Sequence, residues 1–361
     1  MIKSRNFTYK TRAKFDKERA RLEFRRSKLD KILTEREREE KLRAFEKKAK
    51  RQTRRLKYYA ELLYVDNDHF AKEFLGFLTI LNYDRSREVE TRRFFRYDDS
   101  DRRLYLDIYR RKDADRTKKS KLFVYIHGGG WIGGAPETRE SFTTNVAAAG
   151  YVVASVFYGH APSYSHPKPI ENIYKAFAFL RGHADEFGYE SDGIFVGGES
   201  AGAHLACMAA AISTNPLYAA HFCLDVRSAD TKIIGAVFNC GVFDLEKALT
   251  TGFRDIKLYV TAYCGGREYS ELDEETKKEI SPINWITPDF PPVFAISGAR
   301  DKLAVLTFDF VEKLDSLGVK CEHFHGTGLM SVHAFAVAQI LPISKQAMRG
   351  TRAFLYSLKN T

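Results

Sequence analysis

The sequence predicts an α/β protein with a mostly parallel central sheet flanked by helices, and three observations predict it. Short β-branched and aromatic runs alternate with helical patterns along most of the chain, as parallel βαβ units require. The apolar run Ile194-Phe195-Val196 passes through Gly198-Glu199-Ser200-Ala201-Gly202 into the helix-like run Ala203 to Ala210. The strand-like run Leu122 to Ile126 enters His127-Gly128-Gly129-Gly130-Trp131, with Gly133-Gly134 following.

Taken in order, Glu88 to Phe95 and Leu104 to Arg110 read as opening strands around a polar turn at Asp98-Asp99-Ser100-Asp101. After the strand at Leu122 come a helical pattern from Ser141 to Ala149, the β-branched run Val152 to Phe157 and a longer helical pattern from Ile170 to Phe187. The strand Ile194 to Val196 and its helix are followed by apolar strands at Ile233 to Phe238 and Val293 to Ile296. A helix from Leu306 to Leu317, a strand from Cys321 to Phe324 and a last helix from Ala334 or Ser344 onward close the pattern. In such a sheet, ligands bind at the strands' C-terminal ends, where Gly129, Ser200, Asp301 and His333 are expected to converge.

The chemistry follows from the residue types at those ends. A strand that turns sharply into a helix holds its central residue in a strained conformation, so its neighbours must be small, and Gly198 and Gly202 supply that. Ser200 stands at the tip, with the helix N-terminus behind it favouring negative charge. Three consecutive glycines leave backbone N–H groups unshielded, as an oxyanion hole requires; a phosphate loop is disfavoured because no Lys-Ser/Thr follows them. A serine nucleophile needs a base, and the base an acid, in the chain order Ser, Asp/Glu, His. Asp301 ends the strand from Val293, and His333 lies in the loop beyond the strand from Cys321. Asp289 precedes its strand and Asp309 lies within a helical pattern, whereas His323 and His325 read as strand histidines. His204, four residues after Ser200, reads as a packing histidine.

These motifs, with Tyr158-Gly159-His160-Ala161-Pro162, Ser281-Pro282 and His333-Ala334-Phe335, resemble the hormone-sensitive-lipase-like branch of the α/β-hydrolases from about Glu88 to Ala338. The resemblance implies an α/β-hydrolase fold and a carboxylesterase or lipase-like serine hydrolase acting on short- to medium-chain esters. Ser200, Asp301 and His333 would form the catalytic triad. The amides of Gly129, Gly130 and Ala201 would form the oxyanion hole, and His127, Gly128, Trp131, Gly198, Glu199 and Gly202 would support the motifs. It also implies a helical cap, read here at about 61–87 and 245–288 of a hydrolase domain spanning 61–361. Three positions depart from the family: Gly159-His160 stands where Arg-Leu is common, Asn172 where an Asp is usual, and Ala203-His204 where a small residue and an amide are common. Two alternatives use the same fold: an amidase or aryl formamidase, and a non-catalytic ligand-binding member.

Composition fits an enzyme, with 44% hydrophobic residues over 361 positions. Five cysteines without C-x-x-C spacing speak against a disulfide framework or zinc site, and neither metal nor cofactor is expected. Cys207 and Cys240 read as small core residues. No apolar leader and no run long enough to span a membrane is seen, so a cytoplasmic protein is expected. The basicity is confined to residues 1–60, which hold 23 Lys and Arg against 9 Asp and Glu. This stretch reads as a basic helical extension with one thin apolar stripe, in which Phe15, Leu22 and Leu29 are spaced by heptads that fail at Arg36 and Arg43. The plainer reading is a solvated, charged helical arm; set against it, the candidate partners are an anionic membrane surface or another protein, and nucleic acid is disfavoured because no aromatic-interleaved recognition motif is present.

Overall fold

The structure, a computed structural model, describes residues 88–359 apart from 116, 225–227, 229 and 230. The predicted basic extension at 1–60 and first cap element at 61–87 lie outside the described residues. Eight strands form one sheet: β1 (Val89–Arg96), β2 (Tyr105–Arg111), β3 (Ser120–Ile126), β4 (Val152–Phe157), β5 (Tyr189–Glu199), β6 (Ile233–Asn239), β7 (Val293–Gly298) and β8 (Cys321–Gly326). Their spatial order is β1-β2-β4-β3-β5-β6-β7-β8. β2 pairs antiparallel with β1 and β4, and every other pairing is parallel. This is the α/β-hydrolase fold.

Helices cover both faces because the inner strands are apolar on both. In β3, Phe123 and Tyr125 belong to one buried cluster while Leu122, Val124 and Ile126 belong to the other, as the two-residue period of a strand requires. Helices α1 (Glu140–Ala147) and α8 (Pro342–Ser357) supply Phe142 and Phe354 to the first cluster. Helices α2 (Lys168–Gly182), α3 (Ala201–Thr214) and α7 (Ala304–Ser316) supply Phe177, Leu205 and Phe310 to the second. Between β6 and β7 the chain forms α4 (Leu245–Thr250), α5 (Ile256–Tyr263) and α6 (Glu274–Glu279).

The elements depart from expectation mainly at their ends. β5 begins at Tyr189 rather than Ile194, because Lys121 on β3 binds Glu190 (2.7 Å) and Asp192 (3.1 Å) and keeps a polar stretch in the sheet. The helix expected to run to Phe187 stops at Gly182; a separate short helix, Ala184–Phe187, follows and ends at Gly188 with φ 75°. The last helix begins at Pro342, after a 3₁₀ turn at Phe335–Val337. The register aligns Ile126 with Gly198, Glu199 with Asn239, Asn239 with Ile296 and Gly298 with Gly326, so β3, β5, β6, β7 and β8 all end at one edge. Among the described residues no helix is long and apolar enough to cross a membrane.

Candidate active site

The site begins at the junction of β5 and α3. Ser200 holds φ 55° and ψ −122°, a conformation that costs a residue with a Cβ about 1–3 kcal/mol. Its amide donates to the Asn239 carbonyl (2.9 Å), and its carbonyl accepts from the His204 amide (3.0 Å). A Cβ on Gly202 would lie 2.1 Å from the Ile126 carbonyl oxygen, so only glycine lets α3 start this close to β3. Ala201 opens α3, where first-turn N–H groups have no partner within the helix.

Ser200, His333 and Asp301, each at or beyond a different strand end, meet in one hydrogen-bonded chain. Ser200 Oγ donates to His333 Nε2 at 2.8 Å, and His333 Nδ1 donates to Asp301 Oδ2 at 2.8 Å. Asp301 Oδ1 accepts from the Leu303 amide at 2.9 Å. Burial pushes the Asp301 carboxyl up, but the His333 charge and hydrogen bonds from His333 and Leu303 outweigh it and hold the group below the usual carboxylate range. The Phe253 ring meets the His333 ring edge-on at 4.8 Å. The structure therefore brings the three sequence-predicted residues together. It does not bring the competitors there: His323 and His325 both bind Ser297 Oγ (2.8 Å each), Asp309 pairs with Lys247, and Asp289 is exposed.

The glycine loop curls beside Ser200. Gly129, Gly130 and Trp131 have φ of 129°, 60° and 61°, which turns the peptide planes between β3 and α1. Glu199, buried at the end of β5, clamps this loop: Oε1 accepts from the Gly128 amide (2.7 Å) and from Arg139, and Oε2 accepts from Tyr125 (2.5 Å). His127 is buried, with Nδ1 3.0 Å from the Gly128 carbonyl oxygen. A Cβ at Gly130 would lie 2.8 Å from the Tyr259 ring, so α5 lies directly against the loop. Trp131 stacks on Tyr263 at 4.8 Å, and its Nε1 donates to His204 Nδ1 at 3.2 Å.

His204 links more than the packing role implied. Its Nε2 donates to the Ile280 carbonyl at 2.8 Å, so one fully buried imidazole joins α3, the glycine loop and the segment beyond α6. Burial pushes its pKa down to about 3, which keeps it neutral and satisfied at both nitrogens. Glu279 anchors the same segment, binding His166 Nε2 (2.5 Å) and His221 Nδ1 (2.9 Å); His166 Nδ1 in turn lies 3.1 Å from Tyr263 Oη. Asn172, where the resemblance led one to expect Asp, donates to the Tyr158 carbonyl at 3.0 Å.

Sequence reasoning read Cys240 only as core. It is fully buried, but its sulfur lies beside Asp301 and His333, and these three are the one group among the described residues whose atoms could together hold a metal ion. The available signal was its position, one residue past the C-terminal end of β6.

Residues 106–307 match the family model described as BD-FAE. The chain is 28% identical over 57% of its length to the probable carboxylic ester hydrolase LipM of Mycobacterium tuberculosis, and 30% identical over 64% to the esterase LipC of the same organism. It covers 47% and 56% of those proteins, so it spans about half the length of the curated relatives it matches. A solved structure, esterase B from Lactobacillus rhamnosis (HN001), superposes with a TM-score of 0.69 at 19% identity, covering 80% of this chain and 94% of that one.

Proposed function

The chain belongs to the BD-FAE family, and from that premise we propose that it is a serine hydrolase that cleaves carboxylic esters of short to medium acyl chain. The observation that carries this reading is the continuous chain from Ser200 Oγ through His333 to Asp301, with both links at 2.8 Å. His333 takes the Ser200 proton as Oγ attacks the ester carbonyl, and Asp301 holds the imidazole tautomer and stabilises its charged form. The amides of Gly129, Gly130 and Ala201 receive the oxyanion, and His333 then protonates the leaving alcohol. Water, activated by the same base, releases the acid and restores Ser200. Glu199 holds the glycine loop to the elbow, and residues 245–288 act as a cap that places Phe253 and Tyr259 over the site.

Hydrolysis of p-nitrophenyl esters from acetate to palmitate tests this. The chain is expected to favour the shorter members, and Ser200→Ala to lower kcat by about 10⁴-fold or more. Undiminished activity in Ser200→Ala would overturn the assignment. Turnover of an aryl formamide but of no ester would move the reading to an amidase.

For residues 1–60 we propose an anionic membrane surface as partner, supported by their 23 Lys and Arg against 9 Asp and Glu. The free cysteines 207, 223, 240, 264 and 321 fit a reducing compartment, for which we propose the cytoplasm.

A further inference from the structure

Cys240 follows the last residue of β6 with φ 50°, a left-handed conformation unusual for a residue with a Cβ. Its amide donates to the Ile296 carbonyl at 2.7 Å, which ties this turn to β7. The side chain is fully buried, and its sulfur, an Asp301 carboxylate oxygen and a His333 ring nitrogen all lie within 4.8 Å of one another. The sulfur therefore sits where the acid and the base meet, near enough for the Asp301 charge to act on the thiol. One buried atom thus stands beside both the acid and the base.

Resting on the esterase reading, we infer that Cys240 is a positioning residue for Asp301 and His333: its S–H donates to the Asp301 carboxylate from beside the imidazole. A buried carboxylate needs several donors, and Asp301 then has three: the Leu303 amide, His333 Nδ1–H and the thiol. Burial pushes the Cys240 thiol up, as does the Asp301 charge, so the sulfur keeps the proton it donates. The groups flanking the pair do not take its place. Arg300 and Lys302 are exposed, Lys302 Nζ binds the Gly252 carbonyl at 2.9 Å, and Phe253 meets His333 with its ring. Without the thiol, negative charge is more concentrated on the carboxylate and favours the protonated imidazole.

The test compares Cys240→Ala and Cys240→Ser in the full chain. Cys240→Ser keeps a donor and is expected to retain kcat within about threefold of the parent. Cys240→Ala is expected to lower kcat about tenfold at unchanged KM and to move the acid limb of the pH profile of kcat/KM up by about half a unit. The low-field proton resonance of the His333–Asp301 hydrogen bond supplies a readout that needs no turnover. It is expected to move in Cys240→Ala and to stay near the parent position in Cys240→Ser. If Cys240→Ala fails to fold, the resonance and pH limb of Cys240→Ser decide, and a large displacement of both overturns the inference. An unmoved resonance and limb in folded Cys240→Ala overturn it as well. Failure of the esterase reading looks different: activity absent or indifferent to Ser200→Ala, with the resonance still responding to position 240.

Discussion

Glu279 shows how much one side chain can organise. Burial pushes its carboxyl up, but hydrogen bonds and charge from His166, followed by those from His221, outweigh that and leave it below its ordinary value of 4.5. A carboxylate whose folded pKa is lowered contributes stability fully above its unfolded pKa and loses it as pH falls through the folded one. Glu279→Gln is therefore expected to melt about 2–4 °C below the parent at neutral pH, with the two melting temperatures converging as pH falls below the ordinary 4.5 and through the lowered folded value. A gap that stays constant as the pH is taken below 4.5 would exclude this role for Glu279; melting temperature against pH for both proteins measures it. At this scale the sequence was legible where one residue type has few reasons to be present. Gly198 and Gly202 marked the elbow because any Cβ there would meet backbone. Cys240 and Glu279 were not legible, since a cysteine after an apolar strand and a glutamate on a charged helix each have an ordinary reading.

Among elements, the glycine loop is held from two sides. Glu199 grips Gly128 from β5, while Trp131 is gripped by His204 from α3 and by Tyr263 from α5. If that grip fixes the oxyanion donors, loosening it should affect the transition state more than substrate binding. His204→Ala is expected to lower kcat about tenfold or more with KM within about threefold, and to slow inactivation by a tetrahedral phosphonate in parallel. Parent-like kcat in a folded His204→Ala would show that the loop holds itself. The strand–loop–helix junctions were legible because β-branched runs ending in glycine have a clear period and a clear stop. The bridge from His204 to Ile280 was not, because it closes over 76 residues through a backbone carbonyl, which leaves no side-chain signature. The polar start of β5 was missed for a related reason: ion pairs with Lys121, rather than apolar side chains, hold it in the sheet.

Over the whole molecule, charge is divided unevenly, with a net excess of Lys and Arg confined to residues 1–60. Attraction of that kind to an anionic surface is screened by salt. The full chain is expected to sediment with phosphatidylserine vesicles at low ionic strength and to be released as salt rises, whereas a chain lacking residues 1–60 stays in solution. Equal binding by both would exclude the arm as the contact. The fold was legible at this scale because alternating strands and helices admit few arrangements. How the segment between β6 and β7 meets the glycine loop and His333 was not, since Tyr259 and Phe253 find Gly130 and His333 only through long-range packing. The Ser200–His333 bond spans 133 residues of sequence, and the chain between them supplies β6, β7 and β8. That loop must close before the bond can form, and closing it is slow compared with forming any single helix. A refolding chain should therefore recover its far-ultraviolet dichroism before it can turn over an ester, and activity will report the moment the far edge of the sheet arrives.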